Sequence, residues 1–465
     1  MRIRFCLIIA MAVTLTSGAH GQSPNVVLIM ADDLGYHDLS GYGHPEIKTP
    51  VLDQLAEDGV KLTSFYAGAT VCTPSRMALL TGAYPSRLGW TKGVIGYLME
   101  PGSGLQPEAL TMAEVFRDEG YATGIVGKWH LGDESPMLPM EQGFEDAYYI
   151  KRSNNQTTQL WRGKTLAEDP FDNRQLTKQF TDEAVRFIRD HKASPFFLYV
   201  PFNAVHGPLN KPPRYPEMDV RSAMLKCMDD AVGRIVSAID KQGLKENTLV
   251  IFTNDNGPVL EEMSKPYRGA KNTTYEGGVR VPCVLRWPGK AKPGSAAEGM
   301  MFVSDWFATF VKLAGGSLKQ DRPLDALDMS EMIFNGEPSP RNEIIFEVSG
   351  SVRTPTIRSG DFKLMGDLLY NVAKDPGEKT DVAAKHPDVV AKLKGRLDEV
   401  GKERPPLGDK PLLMDPPLPY IYGIDENKDP APWLVEHVKA IRAKQPQEWA
   451  PGKTPWPQAP KAPVK

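Results

Sequence analysis

The sequence predicts an α/β fold, with a mixed but mostly parallel sheet between layers of helices and a smaller α+β subdomain toward the C-terminus. Short apolar runs alternate with amphipathic helical patterns between residues 25 and 253, as expected for a sheet that is covered on both faces. Several of these runs end abruptly in acidic, basic or amide residues. From about residue 342 the pattern changes to short strands followed by one helix, which indicates a small antiparallel sheet with a packed helix.

The elements of the larger domain alternate along the chain. Strands are expected at residues 25–30, 122–126, 195–201 and 248–253, and helices at residues 49–58, 110–119, 174–191 and 221–242. The C-terminal strands are expected at residues 343–348, 356–357 and 362–365, before a helix at residues 387–400. Ligands of open α/β sheets gather outside the carboxyl ends of the strands, so we expect the functional site there.

The chain is expected to have four parts. Residues 1–21 have a charged start, a short apolar run and small residues, which is the layout of a secretory signal peptide. We therefore expect an exported protein, periplasmic or secreted. The catalytic domain is expected at residues 22–340, the antiparallel-sheet subdomain at 341–402, and a proline-rich extension with a helix near residues 432–444 at 403–465.

The charge balance excludes two classes of partner. The chain has 465 residues with 55 Lys and Arg against 58 Asp and Glu. This near balance gives no broad positive surface for nucleic acid or an anionic membrane. After the signal peptide, no apolar run reaches the roughly 20 residues of a spanning helix, so stable membrane insertion is not expected either.

The cysteine count points to one special thiol. Removal of residues 1–21 leaves Cys72, Cys227 and Cys283, an odd number in an oxidising compartment. For Cys227 and Cys283 we expect either inert buried thiols or a single disulfide.

Cys72 is expected at the start of a helix. It opens the run Cys-Thr-Pro-Ser-Arg, in which Pro and Ser suit a first helical turn, and Gly82 suits the helix end. Such a terminus favours anions, and Arg76 adds a cation one turn later. The residues alone also allow a low-pKa cysteine or a simple helix cap.

Two acidic pairs follow expected strands. Asp32 and Asp33 come directly after the first strand, and Asp255 and Asn256 come after the strand at 248–253. Their hard oxygen donors suit calcium or magnesium better than zinc. Solvated turns remain an alternative.

Four basic or imidazole side chains also lie near strand ends or in glycine-rich loops, namely Lys128, His130, His206 and Lys271. Lys128 and His130 are two residues apart after a buried strand, so both could point into one pocket while Trp129 faces the core. Each residue taken singly is as well explained by a structural histidine or a surface lysine.

The run Cys-Thr-Pro-Ser-Arg followed by Leu-Thr-Gly resembles the signature of the type I sulfatases, in particular the arylsulfatases. The resemblance extends in order along residues 25–315, with weaker similarity at 369–371 and 375–378. It implies an alkaline-phosphatase-like fold and conversion of Cys72 to formylglycine by a dedicated maturation enzyme. It also implies that one Ca²⁺ ion, with Mg²⁺ as the alternative, is held by Asp32, Asp33, Asp255, Asn256 and the modified Cys72.

The same resemblance implies a mechanism. A hydroxyl of the hydrated aldehyde, deprotonated with help from Asp255, attacks the sulfur of a sulfate ester. His206 with Lys271 protonates the departing alcohol, a role that suits a histidine titrating near neutrality. His130 takes the proton of the remaining hydroxyl so that sulfate leaves. Arg76, Lys128 and Lys271 neutralise the anion. We expect a sulfated carbohydrate or an aryl sulfate as substrate.

Two rival interpretations remain open from the sequence. One is a phosphatase or phosphodiesterase of the same superfamily, which would use Thr or Ser with two zinc ions. Its second-metal histidine set is not evident here. The other is a sulfate-binding or glycan-binding protein that keeps Cys72 as a thiol.

Overall fold

The computed structural model describes residues 23–90, 93–95, 103–317, 324–346 and 355–403. The expected signal peptide and the helix expected at 432–444 lie outside the described residues. The strands are β1 Asn25–Ala31, β2 Val60–Leu62, β3 Phe65–Tyr66, β4 Ala122–Lys128, β5 Asp146–Ile150, β6 Leu160–Arg162, β7 Thr165–Glu168, β8 Phe196–Pro201, β9 Thr248–Asn254, β10 Cys283–Arg286, β11 Ser295–Ala297, β12 Met301–Phe302, β13 Glu343–Phe346, β14 Thr356–Ser359, β15 Phe362–Met365 and β16 Leu368–Asn371. The helices are α1 Pro50–Glu57, α2 Cys72–Thr81, α3 Met112–Asp118, α4 Leu176–Asp190, α5 Val220–Lys241, α6 Glu276–Val279, α7 Asp305–Ala314 and α8 Pro387–Lys402.

One large sheet organises the catalytic domain. Its ten strands run in the order β11-β2-β10-β9-β1-β8-β4-β5-β6-β7. The central five, β9-β1-β8-β4-β5, are parallel, whereas β10 pairs with β9 in the antiparallel sense. All seven residues of β1 are buried, as expected for a strand that is covered on both faces. The mixed, mostly parallel sheet predicted from the sequence is confirmed.

Helices cover both faces of this sheet. On one face α1, α4 and α5 contribute apolar side chains such as Leu52, Phe180 and Met228 to a shared core. On the other face α2, α3 and α7 pack around Phe116 and Trp129. With both faces covered, a ligand site is expected at the strand ends.

The C-terminal subdomain is a four-stranded antiparallel sheet, β13-β14-β15-β16, with α8 packed on it. The prediction of a small sheet with one helix is confirmed, and β16 is an additional strand. Its apolar face shares a core with Tyr66 and Phe302 of the larger domain. The subdomain therefore packs directly against the segments beside the catalytic sheet.

The two remaining cysteines do not form a disulfide. In the described ranges both thiols are free, with Cys227 half-buried on α5 and Cys283 buried on β10. Cys283 belongs to the core on the face of the sheet opposite to α5. The disulfide alternative is therefore wrong. Among the described residues, no helix combines the length and apolar character needed to cross a membrane.

Candidate active site

The predicted site residues meet at the carboxyl edge of the parallel strands. Asp32 and Asp33 follow β1, Lys128 ends β4, His206 follows β8, and Asp255 follows β9. Because these strands are parallel and adjacent, their carboxyl ends converge. Side chains separated by more than 200 residues in the chain thereby become neighbours.

Cys72 begins α2, as the sequence predicts. Val71, with an extended backbone, is the N-cap, and Gly82 ends the helix in the left-handed conformation. Cys72 is only 1% exposed. Burial raises the pKa of its thiol, although Lys128 and Lys271 act in the opposite direction. Desolvation thus outweighs the nearby cations, which favours a protonated thiol over the low-pKa cysteine that the residues alone allowed.

Arg76 holds the loop after β9 against the helix. Its Nε and Nη2 donate to Oδ2 of Asp255 at 3.0 and 2.8 Å, and its Nη1 donates to the Lys128 carbonyl at 2.9 Å. Its Nη2 is also 3.6 Å from Oδ2 of Asp32. All three charged side chains are fully buried, so each depends on the others for solvation.

Two lysines pair with the acids after β1. Lys128 Nζ is 2.5 Å from Oδ2 of Asp32, and Lys271 Nζ is 2.5 Å from Oδ1 of Asp33. Burial would raise the pKa of Asp32, but Lys128 and the other nearby cations outweigh it and lower the pKa. The cluster holds equal numbers of acids and cations, Asp32, Asp33 and Asp255 against Arg76, Lys128 and Lys271.

Backbone conformation aims two of the side chains. Asp33 and His130 both have φ near 60°, in the left-handed region that residues other than glycine rarely adopt. Strand geometry thus stops at Lys128, and His130 reaches the pocket through a turn rather than by strand alternation. Trp129 is fully buried and faces the core as expected. Such strained positions concentrate at functional sites.

The contacts of His130 determine which of its ring nitrogens carries the hydrogen. Its Nε2 is 2.6 Å from the carbonyl oxygen of Ile95, a bond that Nε2–H must donate. Its Nδ1 is 3.3 Å from Sγ of Cys72. Burial keeps the pKa of His130 well below its usual value, so the lone pair of Nδ1 faces the side chain of residue 72.

His206 and Lys271 lie where the site opens to solvent. Their side chains are 12% and 10% exposed, against 0–3% for Asp32, Asp33 and Arg76. His206 Nδ1 donates to the Gly207 carbonyl at 2.6 Å, and its Nε2 is 3.8 Å from Oδ2 of Asp33. Burial lowers the pKa of His206 to about 4, below the near-neutral value expected from the sequence.

Two oxygens in the cluster have the character of metal ligands. Oδ1 of Asp32 and Oδ1 of Asn256 are buried and have no hydrogen-bond partner among the residues that the structure describes. The side-chain nitrogen of Asn256 donates to Oδ1 of Asp33 and to the Gly257 carbonyl, both at 2.8 Å. Buried unpaired oxygens are costly unless a cation or water satisfies them. Burial, and then the Asp32 charge, raise the pKa of Asp255 to about 7 despite Arg76.

Sequence reasoning missed some residues that shape the site. Asn254 accepts a hydrogen bond from the Leu34 amide at 3.2 Å and donates to the Leu34 carbonyl at 2.7 Å, joining the loops after β1 and β9. Thr73 donates to the His130 carbonyl and accepts from the Ile95 amide. Asn254 adjoins Asp255, so its position at a strand end was the available signal. Nothing in the sequence marks the role of Thr73.

Comparison with known proteins agrees with this geometry. The sulfatase family model matches residues 24–317. Arylsulfatase A of Homo sapiens is 36% identical, with 83% of this chain and 89% of that protein covered. N-acetylgalactosamine-6-O-sulfatase of Bacteroides thetaiotaomicron is 29% identical, with 83% and 94% covered. A solved structure from the metabolism of glycosaminoglycans by Bacteroides thetaiotaomicron matches with a TM-score of 0.76 at 27% identity, covering 82% of this chain and 100% of that one. The chain belongs to the sulfatase family and is a sulfuric ester hydrolase.

Proposed function

We propose that the protein hydrolyses sulfate esters of carbohydrates through a formylglycine made from Cys72, beside one calcium ion. The position of Cys72 carries this proposal. Cys72 is the first residue of α2. Its Sγ and a carboxylate oxygen from each of Asp32 and Asp255 all lie within 4.8 Å of one another. A protonated thiol is a weak nucleophile. The hydrate of an aldehyde at the same position offers one hydroxyl for attack and a second that lets sulfate leave.

The residues that would hold the metal are Asp32, Asp33, Asp255 and Asn256, with the modified side chain of residue 72. The unpartnered oxygens of Asp32 and Asn256 support this assignment. A buried set of several protein oxygens suits calcium, whereas magnesium usually keeps more water. Bound there, a divalent cation would polarise the sulfate and stabilise a deprotonated nucleophile. Because acids and cations of the cluster balance, its two charges would leave the pocket positive for an anionic substrate.

The buried residues would organise the attack. Arg76 places two of its three nitrogens, Nε and Nη2, on Oδ2 of Asp255, so among the described residues Oδ1 accepts only from the Asp33 amide at 3.4 Å. That oxygen has lone pairs left both for the metal and for the proton of the attacking hydroxyl. Lys128, fully buried beside Asp32, adds positive charge on the closed side of the pocket.

His130 would complete the cycle at the same side chain. Its Nδ1 lone pair faces residue 72, while its Nε2–H is held by the Ile95 carbonyl. Nδ1 can therefore take the proton of the second hydroxyl, so that the aldehyde re-forms and sulfate departs.

His206 and Lys271 would serve the leaving group. They flank the open side of the pocket, where the alcohol part of the ester has to lie. Lys271 carries its proton already, since Asp33 raises its pKa against the effect of burial. His206 presents Nε2 to the same space, because Nδ1–H is held by Gly207. Lys271 can therefore donate to the departing oxygen, whereas neutral His206 has a bare Nε2 that must first take up a proton before it can do so.

Burial of the motif supports early maturation. Cys72, Pro74, Ser75 and Arg76 are all buried in the folded chain. A maturation enzyme that reads this run must therefore bind it in an extended segment, before the domain closes. We infer that formylglycine is made during or before folding.

Two relatives support a carbohydrate substrate. One is named an N-acetylgalactosamine-6-O-sulfatase, and the other is described in connection with the metabolism of glycosaminoglycans. Export, inferred from residues 1–21, would place the enzyme where such polymers occur. The phosphatase alternative lacks support, because the possible metal groups among the described residues contain a single histidine, His206. The binding-protein alternative is excluded by the enzyme family.

The experiment is a desulfation screen. Sulfated monosaccharides and oligosaccharides are compared with an aryl sulfate and an aryl phosphate, and inorganic sulfate and phosphate are measured. We expect sulfate release from at least one sugar at a higher kcat/KM than from the aryl ester. Cys72→Ala is expected to abolish it, and Cys227→Ala, which alters a cysteine outside the site, serves as the control. Faster release of phosphate than of sulfate would contradict the proposal.

A further inference from the structure

We propose that Glu276, Lys363 and Glu378, termed here the buried triad, form a positioning device for Lys271. The inference rests on the proposed role of Lys271 at the leaving group. None of the three residues touches the cluster around Cys72. They lie between the catalytic domain and the C-terminal subdomain, where an uncompensated charge would be costly.

The triad joins three separate segments. Lys363 on β15 places Nζ 3.0 Å from Oε1 of Glu276 and 2.9 Å from Oε1 of Glu378. Glu378 accepts a hydrogen bond from the Glu276 amide at 2.6 Å. The three residues are fully buried. Glu378 also has φ near 47°, so a strained turn after β16 delivers its carboxylate.

Further donors hold the second oxygen of Glu276. Tyr66 donates to Oε2 at 2.7 Å, Arg358 on β14 at 2.9 Å, and Arg280 at 3.2 Å. Glu276, the first residue of α6, is therefore held from both domains. Charged hydrogen bonds at this burial fix position more firmly than neutral ones.

The loop that carries Lys271 is seated on α6. The amide of Gly277 donates to the Arg268 carbonyl at 2.7 Å. A Cβ on Gly278 would lie 2.0 Å from the Thr273 carbonyl oxygen, so the two backbones touch. Arg268 also reaches the subdomain directly, because its Nη1 donates to the Glu378 carbonyl at 2.8 Å. Displacement of α6 would therefore displace the loop.

The position of Lys271 depends on these contacts between its loop and α6. Its amide donates to the Pro258 carbonyl at 2.7 Å, and its Nζ is 2.5 Å from Asp33. The side chain is long and flexible, so the reach of its ammonium group is set by where the loop holds the backbone. A displacement of about 1 Å at a catalytic group can lower the rate about 100-fold.

The test is a double-mutant cycle on kcat/KM with the matured, calcium-loaded enzyme and an aryl sulfate. Glu378→Gln keeps the shape and removes the charge. Arg268→Met removes the hydrogen bond from Arg268 to the Glu378 carbonyl. Because Arg268 is exposed, this variant is expected to fold, and it provides the test if Glu378→Gln does not fold. Each is combined with Lys271→Ala. Glu343→Gln and Arg396→Met, which break an ion pair of the same subdomain, are the matched controls.

We expect each of Glu378→Gln and Arg268→Met to lower kcat/KM about 10-fold or more in the parent. In the Lys271→Ala background the same substitutions should lower it less than about twofold, because the group that they displace has already been removed. The controls should leave kcat/KM within about twofold in both backgrounds. Equal losses in both backgrounds, or no loss in the parent, would overturn the positioning inference while leaving the proposed function intact. Full activity of Lys271→Ala would instead refute the role assigned to Lys271.

Discussion

Replacing Lys128 by Met should destabilise the protein strongly when divalent cations are removed. Lys128 and Asp32 are both fully buried, with Nζ and Oδ2 2.5 Å apart. The other oxygen of Asp32 has no hydrogen-bond partner within the described part of the chain. In the variant, the one ion pair left to Asp32 among the described residues is that with Arg76, at 3.6 Å. Loss of one partner of such a pair costs about 3–5 kcal/mol, a large part of the roughly 5–15 kcal/mol of a typical unfolding free energy.

The assay is urea unfolding followed by circular dichroism in the presence of a chelator. Lys394→Met is the control, because its ion pair with Asp367 at 2.6 Å is solvent-exposed, and such pairs contribute about 0–1 kcal/mol. Asp32→Asn should offset most of the loss in Lys128→Met, since it removes the unpaired charge. An unfolding free energy within about 1 kcal/mol of the parent, or additive effects of the two substitutions, would refute this account of the buried pair.

Further predictions concern the nucleophile and the metal. Cys72→Ser should release about one alcohol per enzyme and then stall with sulfate bound to the protein, since its product has no second hydroxyl; steady turnover in stopped-flow and mass measurements would count against this. A chelator should lower both activity and Tm, and calcium should restore both in the parent but not in Asp255→Ala or Asn256→Ala; full restoration in these variants would contradict the ligand assignment. Arg76→Lys keeps the charge but cannot reach both Asp255 and the Lys128 carbonyl, so kcat should fall about 100-fold; an unchanged kcat would show that the two-nitrogen contact is dispensable.

The sequence could predict the core of the fold and the place of the site for one physical reason. Parallel strands that are buried on both faces have continuous apolar sequences, and their carboxyl ends lie at one edge of the sheet. Asp32 and Asp255 each follow such a run, and the structure brings them together. The helix start at Cys72 was equally legible, because Pro74 and Gly82 mark its two ends.

Other features depend on contacts that no local pattern records. The short strands β2 and β10 pair across more than 200 residues and have only three and four residues, too few for a periodic pattern. His130 was placed correctly near Lys128, but its left-handed turn, not strand alternation, brings it to Cys72. The residue type of His206 predicts a near-neutral pKa, but burial lowers this pKa to about 4.

The long-range charge contacts were also out of reach of the sequence. Glu276 and Lys363 are 87 residues apart, and neither stands out locally from other charged residues. Glu378 lies in a run that resembles the sulfatases weakly, and that resemblance assigned it no role. Its contacts to Glu276 and Lys363 became visible only once the two domains were packed together.

The most direct test of the proposed function is peptide mass spectrometry across residue 72 on a preparation that turns over sulfate esters. We expect the peptide that spans residues 72–76 to carry an aldehyde at position 72. The fraction of chains with this aldehyde should vary in proportion to kcat from one preparation to another. An unmodified thiol at Cys72 in a fully active preparation would contradict the central claim.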